Sequence, residues 1–235
     1  MGIVVIGTAF VDIKGFPDDL YIPNGRNAGR VEYVHGGVAR NVVEDIANME
    51  LRPTYLGIVD DTPMGADVLK KLQNHKVNTE YVLTIPDGMG IWLAVFDNNG
   101  DVAGSISKRP NAYPLVGLLE EKGDEIFRNA DSVVLQVDLH KDIVKKTFEL
   151  AEKYQTKMYA LVSNMSIALE RRDFLQNKNP QCHGCFTASA ASHNNYARSS
   201  MQASTSASAS AIMPKVCASV LPKGSSLRPT TNRNP

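Results

Sequence analysis

Through the first 173 positions, short apolar runs alternate with stretches in which apolar residues recur at helical spacing. The apolar runs fall at residues 3–7, 53–59, 132–137 and 157–162, mostly bounded by Gly, Pro, Asn or Asp. Continuous apolarity over so few residues suits strands buried on both faces of a sheet. Helical spacing occupies residues 37–49, 62–75, 115–129 and 143–154. Thr62 before Pro63 marks one helix start, because Thr caps free N–H groups and Pro tolerates the first helical position. A short strand is predicted at 31–34. Residues 91–96 and 102–107 flank Asp97-Asn98-Asn99-Gly100 and predict a hairpin. The strand–helix repeat predicts an α/β fold with a mostly parallel sheet covered by helices, and the hairpin as an appendage to it.

After Leu175 the pattern stops. Runs such as Ser204-Thr205-Ser206-Ala207-Ser208-Ala209 dominate, with few large apolar residues. Such a segment buries too little apolar area to offset backbone ordering, so residues 176–235 are expected to form a disordered tail behind a domain at 1–175. Charge divides in the same way. Residues 1–173 hold all 25 acidic residues and 19 of the 25 basic ones, a net −6. Residues 174–235 hold six basic residues and no acid, which also suits translation in a wrong reading frame. The six are dispersed and lack interleaved aromatics, which argues against a nucleic-acid partner.

No apolar run approaches the roughly 18 residues of a membrane span. The N-terminal run lacks a preceding basic segment and reads as a buried strand, not a signal peptide. A cytoplasmic protein without a membrane partner is expected. Cys182, Cys185, His193 and Cys217 match no common zinc spacing, so no metal site is expected there. The first apolar run is followed by no second glycine in Gly7-Thr8-Ala9-Phe10-Val11-Asp12, which excludes a dinucleotide-binding turn.

The stretch with most chemical content is Gly36-Gly37-Val38-Ala39-Arg40-Asn41, between a strand and a helix. Adjacent glycines let backbone approach a ligand, the helix start offers free N–H groups, and Asn41 both donates and accepts. It reads either as a site for a polyhydroxylated ligand or as a tight turn. Asp12, shortly after the first strand, lies where open α/β sheets bind ligands.

The order of these parts resembles the ribokinase-type (PfkB-type) family of sugar and nucleoside kinases. An initial strand, Asp12, a clasp strand, Gly36-Gly37-x-x-x-Asn41, and then Gly57-Ile58-Val59-Asp60-Asp61-Thr62-Pro63-Met64-Gly65 follow the family's sequence of elements. Val38, Val43 and Met49-Glu50 depart from common family residues and bear on the substrate more than on the family. The resemblance covers 1–173, roughly the first half of a member. It implies a three-layer α/β fold, incomplete here, with a β-lid from about 13–35 and 90–108. It implies that Asp12, Gly36, Gly37 and Asn41 bind hydroxyls of a sugar or nucleoside. Asp138 would be a further ligand or, alternatively, a cap for the helix starting near His140. Asn164 would lie near the phosphate path. Trp92 would face the sugar or pack within the lid. In several relatives the lid sheet makes a homodimer.

The resemblance also implies a reaction: transfer of the ATP γ-phosphoryl group to a hydroxymethyl oxygen, with Mg2+. The family's base lies in a Gly-Ala-Gly-Asp motif. Residues 174–235 contain no Gly-x-Gly-Asp and no Asp, and no Asn-x-x-Glu follows the strand ending near 162. The chain as written is therefore expected to lack catalysis and to bind neither ATP nor Mg2+ well. The alternative is a non-catalytic sugar- or nucleoside-binding protein.

Overall fold

The computed structural model describes residues 2–163, positions 167 and 170, and the backbone of Cys182–Thr187. In chain order the elements are β1 (Gly2–Ile6), β2 (Phe10–Pro17), β3 (Gly29–Gly36), α1 (Val38–Asn48), β4 (Thr54–Val59), α2 (Pro63–Asn74) and β5 (Val82–Thr84). There follow β6 (Gly90–Phe96), β7 (Val102–Lys108), α3 (Leu115–Arg128), β8 (Ala130–Gln136), α4 (Lys141–Tyr154), β9 (Lys157–Val162) and β10 (Cys182–Thr187).

Six strands form one parallel sheet in the order β10-β9-β8-β1-β4-β5. Alternation along β1 explains the layers. Ile3 and Val5 enter a core with Val42, Val43 and Ile46 of α1 and Val68 and Leu72 of α2. Val4 and Ile6 enter a second core with Leu119 and Phe127 of α3 and Ile143 and Phe148 of α4. Helices thus cover both faces, as the apolar runs predicted. Thr62 caps α2, its side chain accepting from the Gly65 N–H, with Pro63 at the start of the helix.

The order of strands locates a crevice. From β1 the chain moves outward through β4 to β5, then returns to β8 on the other side of β1. Connections leave β1 and β8 in opposite directions, so their C-terminal ends bound an open cleft, the usual ligand position in such sheets.

A second sheet of four strands, ordered β3-β2-β6-β7, stands beside this cleft. Its hairpin β6–β7 is antiparallel, while β6 joins β2 in parallel. The hairpin is therefore half of a sheet. The other half includes β2, which Gly15 and Pro17 disguise as loop sequence. Asp12 sits on this second sheet, opposite Val34 of β3 and Trp92 of β6.

One expectation needs correction. Residues 176–235 were expected to lack structure, yet within them Cys182–Thr187 forms a strand parallel to β9; the other positions of that stretch lie outside the described residues. A sheet edge offers unpaired N–H and C=O groups to any extended segment, whatever its side-chain pattern. No described helix is long and apolar enough to cross a membrane.

Leu135 of β8 is fully buried in the second core. Leu135→Ala is expected to cost about 2–5 kcal/mol in urea unfolding, and the exposed cap change Thr62→Ala about 1 kcal/mol.

Candidate substrate site at the sheet switch point

The exit of β1 is held on three sides. Gln136, the last residue of β8, accepts at Oε1 from the Thr8 N–H at 3.0 Å and from Thr8 Oγ1 at 3.2 Å. The buried Tyr55 hydroxyl donates to the Gly7 carbonyl oxygen at 3.1 Å. A Cβ at Gly7 would fall 2.2 Å from Ala39 Cβ of α1. Burial pushes the Tyr55 phenol well above its ordinary range, so it stays a donor.

The Gly-Gly turn packs onto this exit. Gly37 caps α1 at φ 97°, and a Cβ there would meet the Thr8 carbonyl oxygen at 2.6 Å. Asp12 reaches across Gly36: a Cβ at Gly36 would lie 2.5 Å from Asp12 Oδ1. Two absent side chains thus let a lid strand, a β-strand exit and a helix start meet. The Asp12 carboxylate is half-buried and has no hydrogen-bond partner among the described residues. Burial pushes its pKa up, against the pull of Lys14 and Arg40. Asn41, in the first turn of α1, is exposed and donates its backbone N–H to the Gly37 carbonyl at 2.9 Å. Trp92 shares the register of Asp12 and so its face of the lid. Further along that face Phe16 stacks on Phe96 at 4.7 Å, and Trp92 meets Phe96 edge-on at 6.3 Å.

Asp12, Gly36 and Gly37 therefore meet at the β1 exit, with Asn41 in the following helical turn and Trp92 paired beside Asp12. Asp138 sits just past the end of β8. Its carboxylate accepts from Gln136 Nε2 at 3.3 Å and from the Ser163 hydroxyl and backbone N–H, tying β8 to β9. The alternative of Asp138 as helix cap is overturned. His140 caps α4, its ring accepting from the Asp142 N–H at 3.4 Å, because the helix begins two residues beyond the reach of Asp138. Asn164 lies outside the described residues.

Sequence reasoning missed two residues that build the site. Gln136 was hidden in an apolar strand. Arg40 is 4% exposed. Its guanidinium donates to the Gly36 carbonyl at 3.0 Å, the His35 carbonyl at 3.1 Å, Glu44 at 2.5 Å and the Asn41 side chain. The signal was available: Arg40 and Glu44 are an i,i+4 pair on the helix face that carries Val43 and Ala47. Glu44 also meets Lys71 at 3.3 Å. Burial pushes the Glu44 pKa up, but Arg40 and Lys71 together hold it below its ordinary 4.5.

With this geometry in view, comparison identifies the class. The profile of the pfkB family carbohydrate kinase matches residues 2–211, and the chain belongs to that family. The match runs further than the 173 residues in which the resemblance was legible. A guanosine-inosine kinase of Exiguobacterium acetylicum is 31% identical over 175 residues, which are 74% of this chain and 58% of that protein. A pseudouridine kinase of Escherichia coli K12 is 24% identical over 141 residues, 60% of this chain and 45% of that one. Ribokinase of Arabidopsis thaliana, solved with ribose and ATP, shares the fold with a TM-score of 0.58 at 18% identity, over 70% of this chain and 54% of that one. The chain thus spans about half to three-fifths of the length of these relatives.

Among the described residues no three His, Cys, Asp or Glu side chains gather as metal ligands, so none is assigned to Mg2+ or ATP.

Gly37→Ala is expected to destabilise the fold by about 1–3 kcal/mol, because both the backbone angle and the Thr8 contact oppose a side chain. Thermal unfolding measures this. The lowered Glu44 pKa gives a stabilising contribution that is complete above 4.5 and fades as pH falls below it. Glu44→Gln should therefore lower the Tm at neutral pH and flatten its fall on acidification.

Proposed function

We propose that this chain is the substrate-binding part of an ATP-dependent nucleoside kinase of the pfkB family, holding a ribose in the cleft between Gly36-Gly37 and the lid. The observation that carries this is the half-buried Asp12 carboxylate, without a hydrogen-bond partner among the described residues, beside Gly36 and the first turn of α1. A desolvated carboxylate without a partner costs stability, and a pair of ligand hydroxyls would supply its missing hydrogen bonds. Asn41 and the backbone at Gly36 and Gly37 would complete the set, with Asp138, just past β8, and Asn164 as further candidates.

The aromatic lid favours a nucleoside over a simple sugar. Trp92, Phe96 and Phe16 line the Asp12 face of the lid. Aromatic faces of this kind stack on bases. The kinship with a guanosine-inosine kinase and a pseudouridine kinase supports the same reading. In the full reaction, ATP with Mg2+ would phosphorylate the hydroxymethyl group. The family base motif is absent from this sequence, so the 235-residue chain binds without turnover in this reading.

The other lid face suits a second copy of the chain. Tyr33, Ile13, Leu93 and Ile106 align across its four strands, with Val31 and Val95 alongside. Of these, Tyr33, Leu93, Ile106, Val31 and Val95 are exposed. A flat apolar row of this kind can pair with itself about a twofold axis. Sedimentation of the purified chain should show a dimer that Ile106→Asp converts to monomer; a native monomer would reject this part of the proposal.

Asp12→Asn tests the site. The raised Asp12 pKa means that ionisation opposes folding once pH rises past the ordinary 3.8. The ligand-free variant should therefore melt at or above the native temperature at neutral pH. Its affinity for inosine, read by calorimetry, should fall by about 10-fold or more. Unchanged inosine affinity would refute the assignment.

A further inference from the structure

Arg40 is buried, yet it is the most heavily engaged side chain at the site. Its Nε–H donates to the Gly36 carbonyl, and one terminal nitrogen to Glu44. The other terminal nitrogen is shared between the His35 carbonyl and the Asn41 side chain. Four acceptors thus surround a planar group that has only donors to offer. Three of them, at residues 35, 36 and 41, border the glycine pair.

The chemistry of the guanidinium fixes something that side-chain shape alone leaves open. An asparagine amide can present either its oxygen or its NH2 group in a given direction. Because arginine cannot accept a hydrogen bond, the group facing Arg40 must be the Asn41 oxygen. The Asn41 NH2 group is then directed away from Arg40, on an exposed residue at the start of α1. Asp12, on the lid side of Gly36, offers only acceptors when ionised. The two residues therefore form a complementary pair, one donating and one accepting. A hydroxyl group, which can do both, is what such a pair recognises.

We propose that Arg40 is a positioning residue for substrate: it locks the Asn41 amide with its NH2 group toward the cleft, and it clamps the end of lid strand β3 to helix α1 so that Asn41 and Asp12 address the same ligand hydroxyl. The inference rests on the proposed binding of a nucleoside in this cleft. Lysine cannot replace Arg40, because a single ammonium cannot serve carbonyls, carboxylate and amide in one plane.

The test uses the full chain and three ligands: inosine, 2′-deoxyinosine and 3′-deoxyinosine. In the native protein, one deoxy compound should bind about 10-fold more weakly than inosine, since the donor and acceptor are then left unpaired. In Arg40→Lys and Arg40→Met that contrast should shrink to less than about 3-fold, chiefly through weaker inosine binding. Equal weakening of all three ligands would mean that Arg40 only supports the fold, and would overturn the proposal. A second readout needs no ligand. With 15N-labelled asparagine, the Asn41 side-chain NH2 should show a rigid order parameter in the native protein and a clearly lower one in the Arg40 variants. An amide equally rigid in both would overturn the proposal. If the native chain binds none of the three compounds, the nucleoside reading fails, and the NMR comparison alone decides whether Arg40 orients Asn41.

Discussion

At Gly37 the main chain lies against Thr8 and Ala9 so closely that a single added carbon would sit 2.6 Å from a carbonyl oxygen. Everything around the cleft depends on that contact. It brings the start of α1 to the exit of β1, and it does so beside the point where β1 and β8 diverge. Gly36, next to it, leaves room for Asp12 to lean over from the lid. With side chains at either position, the lid strand and the helix would have to separate, and the carboxylate and the amide with them.

A buried polar frame holds this contact in register. Gln136 binds the backbone N–H and hydroxyl of Thr8 on one side, and Arg40 binds two carbonyls at the end of β3 on the other. Gln136 and Thr8 are far apart in sequence, whereas Arg40 reaches back only four and five residues, yet each bond joins separate elements: β8 to the β1 exit, and β3 to α1. Buried donors and acceptors are costly when left unpaired. The frame therefore favours one arrangement of backbone around the cleft. Asp12 stands out because it lies beside this satisfied network without a hydrogen-bond partner among the described residues.

The sheet and its helices were legible because both signals are local. Apolar runs mark β1, β4, β8 and β9, and Thr62-Pro63 marks the start of α2. The three-residue β5 is too short for any period to register. β2 carries Gly15 and Pro17, and only its pairing with β3 and β6 makes it a strand. β10 lies in sequence without apolar alternation, and its strand character comes from the edge of β9. Of the candidate site, Gly36, Gly37 and Asn41 were singled out by one motif, and Asp12 by its place after the first strand and by the family resemblance. Arg40 and Gln136 were not, since their meaning lies in partners that only the folded chain assembles. Asp138 shows the converse: a carboxylate at a strand end that looked equally fit for ligand or cap, and that the fold uses to join Gln136 to Ser163.

The central claim is that Asp12 and Asn41 hold a ribose hydroxyl over the glycine pair, beneath the lid. A crystal structure of the 235-residue chain soaked with inosine tests it most directly. The account predicts a ribose hydroxyl within hydrogen-bond distance of both the Asp12 carboxylate and the Asn41 NH2 group, with the base against Trp92. Inosine bound elsewhere, or a ribose that leaves Asp12 without a partner, would contradict it.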